Sequence, residues 1–208
     1  MNIHDIMKAS PVMPVLVIDN PDHAVPLAHA LVAGGIRTLE VTLRTAAALD
    51  AVRAIRAAVP EAIVGVGTIN RVSDIAAAMN AGAQFGVSPG ATPAMLAATR
   101  HGAWPFLPGV MTPSDVLYAI EHGFDAMKFF PAEAAGGITM LKSLAGPFTN
   151  IRFCPTGGID LAKAREYLKQ PNVTCVGGSW LAPAAAMKAG DWASIEHLAR
   201  EAASLRAA

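Results

Sequence analysis

Apolar residues fall in short runs that recur at even spacing. Strand-like segments lie near residues 12–18 (VMPVLVI), 36–43 (IRTLEVTL), 62–67 (AIVGVG), 84–88 (QFGVS), 104–108 (WPFLP), 125–130 (DAMKFF), 151–155 (IRFCP) and 173–177 (VTCVG). Alanine-rich stretches between them follow a helical period. In LDAVRAIRAA, Leu49, Val52 and Ile55 recur on one side, with Asp50, Arg53 and Arg56 beside them. Strand starts are separated by about 20–26 residues, which is enough for one crossover helix each. A series of strand–helix units predicts an α/β fold with a parallel sheet and helices outside it. Eight units without a linker or a break in composition predict a single (β/α)8 TIM barrel over residues 1–208, rather than an open doubly wound sheet. IHDIMK predicts a short N-terminal helix across the barrel's bottom. GDWASIEHLAREAASL predicts an extra C-terminal helix, N-capped by Asp191.

Strand alternation then assigns directions. In TLEVTL, Leu39, Val41 and Leu43 share one face, and Thr38, Glu40 and Thr42 share the other. The helix layer is apolar, so Glu40 is expected to point inward. In AMKFFP, the same rule sends Met127 and Phe129 outward and Lys128 and Phe130 inward. An acid and an amine thus converge on the axis from the second and sixth strands, towards the strand ends where barrel active sites lie. A lysine in an apolar run is costly unless it is paired or loses its proton. A purely structural ion pair accounts for these two residues alone equally well.

The strand ends add chemistry. FCPTGGI closes the seventh strand and CVGGSWL the eighth, the two loops at which barrels frequently bind phosphate. Gly157, Gly158, Gly177 and Gly178 let backbone N–H groups approach an anion, each pair precedes an expected helix, and Ser179 adds a hydroxyl. Arg44 and Thr45 follow the second strand, and an arginine there can fork a carboxylate. Thr68 ends the third strand in GVGTI. SPG at 88–90 and PGV at 108–110 read as stiff turns on a pocket rim.

Composition narrows the field mainly by exclusion. Lys and Arg number 16, and so do Asp and Glu, so no charge excess points to nucleic acid. The N-terminal stretch lacks a signal peptide's apolar region, and no run is long enough for a membrane helix. Cys154 and Cys175 in apolar segments suit reduced, structural thiols and a cytoplasmic setting. No CxxC, HExxH, GxGxxG or GxSxG is present, so no metal, dinucleotide cofactor or serine nucleophile is expected. The six histidines (4, 23, 29, 101, 122 and 197) fall outside the strands and read as helix-surface residues.

An inward lysine, an inward carboxylate, a carboxylate clamp and a phosphate end form the layout of a class I aldolase. The lysine forms an imine with a ketone, and the carboxylate moves protons. Two other readings remain at this stage: a phosphosugar isomerase or epimerase with Glu40 as base, and a non-catalytic phosphometabolite-binding barrel.

LEVTLRT, GVGTI, VSPG, KFFPAEAAGG, FCPTGGI and GGSWL, in order over nearly the whole chain, resemble the motifs of the 2-keto-3-deoxy-6-phosphogluconate (KDPG) aldolases, a family that includes 4-hydroxy-2-oxoglutarate (KHG) aldolases. The resemblance implies a metal-free, cofactor-free homotrimer of the Entner–Doudoroff pathway, cleaving the phosphorylated sugar acid to pyruvate and glyceraldehyde 3-phosphate. It implies Lys128 as the Schiff-base lysine and Glu40 as the general acid/base. Arg44 and Thr68 match positions holding the pyruvate carboxylate, Pro89 and Phe130 match pocket walls, and Thr156 matches a position near the substrate hydroxyls. Gly157, Gly158, Gly178 and Ser179 match the phosphate end.

Overall fold

The apolar runs become short parallel strands, and the alanine-rich stretches become the helices between them. The structure is a computed structural model that describes residues 1–100 and 104–206; His101 lies outside them. The strands are β1 (Val12–Leu16), β2 (Thr38–Thr42), β3 (Ile63–Gly67), β4 (Phe85–Val87), β5 (Phe106–Leu107), β6 (Gly109–Val110), β7 (Ala126–Phe129), β8 (Arg152–Pro155) and β9 (Val176–Gly178). Ten α-helices accompany them among the described residues. They include α1 (Ile3–Ala9), α2 (Ala24–Ala33), α3 (Ala48–Ala58), α4 (Val72–Asn80), α5 (Pro93–Arg100), α6 (Pro113–Glu121), α7 (Gly137–Ala145), α8 (Leu161–Leu168), α9 (Ala184–Ala189) and α10 (Trp192–Ala203).

Backbone pairing is parallel throughout and runs in two sections, β5-β4-β3-β2-β1-β9 and β6-β7-β8. The architecture is therefore α/β with a curled parallel sheet. Among the described residues nine strands replace the expected eight, because Pro108 divides the fifth. Proline has no N–H to give to a ladder, although its carbonyl still accepts from Lys128 N at 2.9 Å. PGV is consequently strand rather than the expected turn: Gly109 pairs with Lys128 and Val110 with Phe129. Strand β9 also begins later than expected, since Val173 makes only an isolated bridge to Phe153.

Two cores follow from strand alternation. Leu39, Val41, Val64, Val66, Met127 and Phe129 belong to the large cluster between sheet and helices. Met13, Ile63, Phe85, Val87, Leu107, Ala126 and Cys154 come from six strands and meet in a second cluster on the concave side, joined by Cys175. Helix α1 plugs this inner cluster with Ile6 and Met7, both buried. Its start is fixed by a capping box between Asn2 and Asp5. Helices α9 and α10 follow β9, and Asp191 caps α10 by accepting from Ser194 N at 3.1 Å. No helix among the described residues is long and apolar enough to cross a membrane.

Candidate active site

Glu40 is the central residue of β2 and Lys128 the third of β7, and both point to the concave side as alternation requires. Their carriers are tied into the sheet on both flanks. Glu40 pairs with Val15 and Gly65, and Lys128 with Gly109 and Cys154. Lys128 Nζ lies 3.3 Å from Glu40 Oε1, with Glu40 1% and Lys128 4% exposed. The same nitrogen sits 5.2 Å from the centre of the Phe130 ring. A pair this dry is a weak source of stability, because desolvation offsets most of the attraction.

The Glu40 carboxylate rests on Gly67, the last residue of β3. A β-carbon on Gly67 would stand 2.0 Å from Glu40 Oε1. Thr68 follows at once, half-buried, with φ +61°, the only non-glycine residue at positive φ among those described. That conformation is a true outlier for a β-branched residue and costs on the order of 1–3 kcal/mol. Pro89 closes another side, its carbonyl group lying against Gly109, the pairing partner of Lys128.

Further out lies a cavity of about 230 Å³. Arg44, Phe130, Thr156, Gly157, Gly158, Gly178 and Ser179 line it, together with Val15, Ile159 and Gly177. Eight of the residues singled out from the sequence, Gly177 among them, thus meet in one cavity. The other four, Lys128, Glu40, Thr68 and Pro89, do not line it. Lys128 joins it through Phe130, which touches both. Thr156 is buried and leans over Gly177, where a β-carbon would meet its Oγ1 at 2.1 Å. Gly157 and Gly158 have φ +110° and +75°, values that exclude ordinary side chains. A larger, mainly apolar cavity of about 630 Å³ shares Val15 and Ser179 with the first. Among the described residues, no three His, Cys, Asp or Glu side chains gather as a metal site would need.

The model of the KDPG and KHG aldolase family matches residues 3–198. The chain belongs to that family. It is 53% identical over 197 residues to the KHG/KDPG aldolase of Escherichia coli (strain K12), covering 95% of this chain and 92% of the relative. The KDPG aldolase of Legionella pneumophila, solved with pyruvate captured at low pH as a covalent carbinolamine, superposes with a TM-score of 0.96 at 43% identity, over 98% of this chain and 99% of that one. The Zymomonas mobilis ZM4 KDPG aldolase, solved with 3-phosphoglycerate, gives a TM-score of 0.93 at 46% identity, over 98% and 95%.

For a KDPG and KHG aldolase, the arrangement offers an amine beside a carboxylate in a dry pocket and, next to it, a glycine-rich cavity that Arg44, Thr156 and Ser179 also line. Some parts escaped the sequence reading. Gly67 was passed over, though glycine at every second place in GVG marks one strand face kept free of side chains. Val15 and Ile159 look like ordinary core residues and carry no such signal. Glu133, which contacts the 156–158 turn, sits within KFFPAEAAGG but resembles a surface acid.

Proposed function

We propose that Lys128 and Glu40 carry a class I aldolase reaction on KDPG, releasing pyruvate and glyceraldehyde 3-phosphate, and on KHG, releasing pyruvate and glyoxylate. The observation that carries this reading is the buried Lys128–Glu40 contact at 3.3 Å. The Lys128 amine adds to the C2 carbonyl, and loss of water from the carbinolamine leaves a protonated imine. Glu40 takes the proton from the C4 hydroxyl. The C3–C4 bond breaks, its electron pair flows into the imine, and the aldehyde leaves. The enamine then takes a proton at C3 from Glu40, and water frees pyruvate and the amine. Arg44 and Thr68 hold the carboxylate, Phe130 and Pro89 wall the carbon chain, and Thr156 meets the hydroxyls. The Gly157–Gly158 turn, with Gly178 and the Ser179 hydroxyl, receives the phosphate.

The covalent pyruvate of the Legionella relative supports the imine step, and the phosphorylated ligand of the Zymomonas relative supports the anion end. Neither the isomerase nor the non-catalytic reading gains support from any relative.

The finer architecture belongs to the same proposal. Residues 1–208 act as one catalytic domain whose sheet closes into a (β/α)8 ring. Supporting closure, Phe153 N donates to Asn172 O at 2.7 Å, Thr174 N donates to Phe153 O at 3.1 Å, and Thr156 bridges Gly177. Three copies assemble through apolar side chains left exposed on and beside α6, namely Met111, Leu117, Tyr118 and Ile120. Cys154 and Cys175, buried and outside any disulfide, suit a cytoplasmic protein.

Borohydride reduction in the presence of pyruvate tests the reading. One reduced pyruvyl group should appear on the peptide containing Lys128, and Lys128→Ala should lose both label and cleavage. Label on any other lysine overturns the assignment.

A further inference from the structure

Three consecutive carbonyls of the 156–158 turn are tied to donors on residues that do not line the cavity. Thr156 O accepts from Ala132 N at 2.8 Å, Gly157 O from Glu133 N at 3.1 Å, and Gly158 O from Lys163 Nζ at 3.1 Å. Thr156 bridges to Gly177 of β9 on one side of the turn, and among the described residues the Gly158 N–H has no protein acceptor. Carbonyls held back beside an open N–H is the polarity an anion-binding turn needs.

Glu133 joins these tethers. Besides its backbone bond to Gly157, its Cγ and Cβ fill the space a Gly158 side chain would need, at 2.8 and 2.9 Å. Its Oε1 accepts from the Tyr167 hydroxyl at 2.5 Å, and its Oε2 meets Lys163 Nζ at 2.7 Å. Tyr167 is buried in α8 and Lys163 lies in that helix's first turn, so one side chain straps the helix after β8 to the turn after β7. A bare carboxylate here would repel a phosphate, and the Lys163 ammonium offsets that charge while holding the Gly158 carbonyl.

We propose that Glu133, with Lys163 and Tyr167, is a positioning clamp that holds the Gly157–Gly158 turn in its anion-receiving shape and so sets the preference for phosphorylated over unphosphorylated substrate. The proposal rests on the phosphate assignment made above. None of the three side chains lines the 230 Å³ cavity, so the clamp acts through the turn.

The test measures kcat and KM for KDPG and for KHG, with competitive inhibition by inorganic phosphate against KDPG, in Glu133→Ala, Glu133→Gln, Tyr167→Phe and Ser179→Ala. Glu133→Ala should raise the KM for KDPG and the phosphate inhibition constant by about tenfold, the scale of one lost charge-assisted contact, with kcat and KHG cleavage little changed. Glu133→Gln keeps an acceptor for Tyr167 and should recover most of the loss. If Glu133→Ala fails to fold, Tyr167→Phe, which removes one hydroxyl, decides by the same selective rise in KM. Equal losses on both substrates, or no loss, overturn the clamp. If Ser179→Ala discriminates between the substrates and the clamp variants do not, the clamp falls and the phosphate assignment stands. If Ser179→Ala fails to discriminate either, both fall.

Discussion

Gly67→Ala is a small change that should disable Glu40 without touching it. The new β-carbon would lie 2.0 Å from Glu40 Oε1 and 2.6 Å from its Cδ and Cγ. Ordinary contact begins near 3.4 Å, so the carboxylate must retreat by roughly 1.4 Å. The backbone cannot give way instead, because Thr42 pairs with Gly67 and Leu43 N donates to Gly67 O at 2.9 Å. The oxygen that must move is the one 3.3 Å from Lys128 Nζ. A catalytic group misplaced by about 1 Å costs on the order of a hundredfold. General acid–base catalysis contributes about 10²–10⁴-fold, so kcat should fall by about 10²–10³, or roughly 3–4 kcal/mol of barrier. Overpacking should cost about 1–3 kcal/mol of stability, leaving a folded protein in which Lys128 still traps pyruvate under borohydride. Gly90→Ala is the control, since nothing lies within 4 Å of a β-carbon there. The measurements are kcat on KDPG, extent of trapping and thermal melting. Turnover close to wild type in a folded Gly67→Ala protein would refute the claim that Glu40 needs this seat.

Glu40→Gln keeps the shape and removes the basicity. Turnover should fall by about a hundredfold or more, and exchange of pyruvate methyl protons with solvent should nearly stop in proton NMR. Thr68→Gly should relieve the left-handed strain, raising the melting temperature by the equivalent of about 1 kcal/mol after glycine's entropy cost. The same change should weaken pyruvate binding through the lost hydroxyl, and a fall in stability would refute the strain reading. Burial, then the hydrogen bond to Glu133, holds the Tyr167 phenol above its ordinary 10.0. The unfolded chain therefore ionises first, so this stabilisation is present below that value and is lost as pH rises towards the folded pKa. Stability should drop more steeply above about pH 10 in wild type than in Tyr167→Phe, as read by chemical denaturation.

The inward pair was legible because alternation has period two and the outer layer is apolar. Once Leu39 and Val41, or Met127 and Phe129, are sent to the helices, Glu40 and Lys128 have nowhere else to go. The glycine pairs were legible because both fall at strand ends before helices. Ladder continuity was not, because Pro108 interrupts pairing inside a run whose hydrophobicity continues through it. PGV was mistaken for a turn for the same reason: proline and glycine mark turns in a sequence, while here Gly109 is simply the strand residue that admits Pro89. The Glu133 clamp was invisible because Glu133, in the turn after β7, is far along the chain from Lys163 and Tyr167 on α8. Each fits its own local pattern, and only the folded chain brings them together.

The site shares one construction at both its ends. Glu40 on β2 lies across Gly67 of β3, and Thr156, just beyond β8, lies across Gly177 of β9. In each case a polar side chain folds down over the next strand, where the omission of a β-carbon leaves it room. Glycine inside a strand is destabilising by roughly 0.5–1 kcal/mol relative to alanine, so these positions are not favoured by strand stability. What they provide is direction. A carboxylate resting on a bare backbone is held beside the Lys128 amine, and a hydroxyl resting on one is held at the cavity wall. Larger residues at Gly67 or Gly177 would push both groups into the space the substrate needs. The glycines of such short strands therefore position the acid and the hydroxyl, while neighbouring strands carry Glu40 and Lys128, to which the proposed chemistry falls.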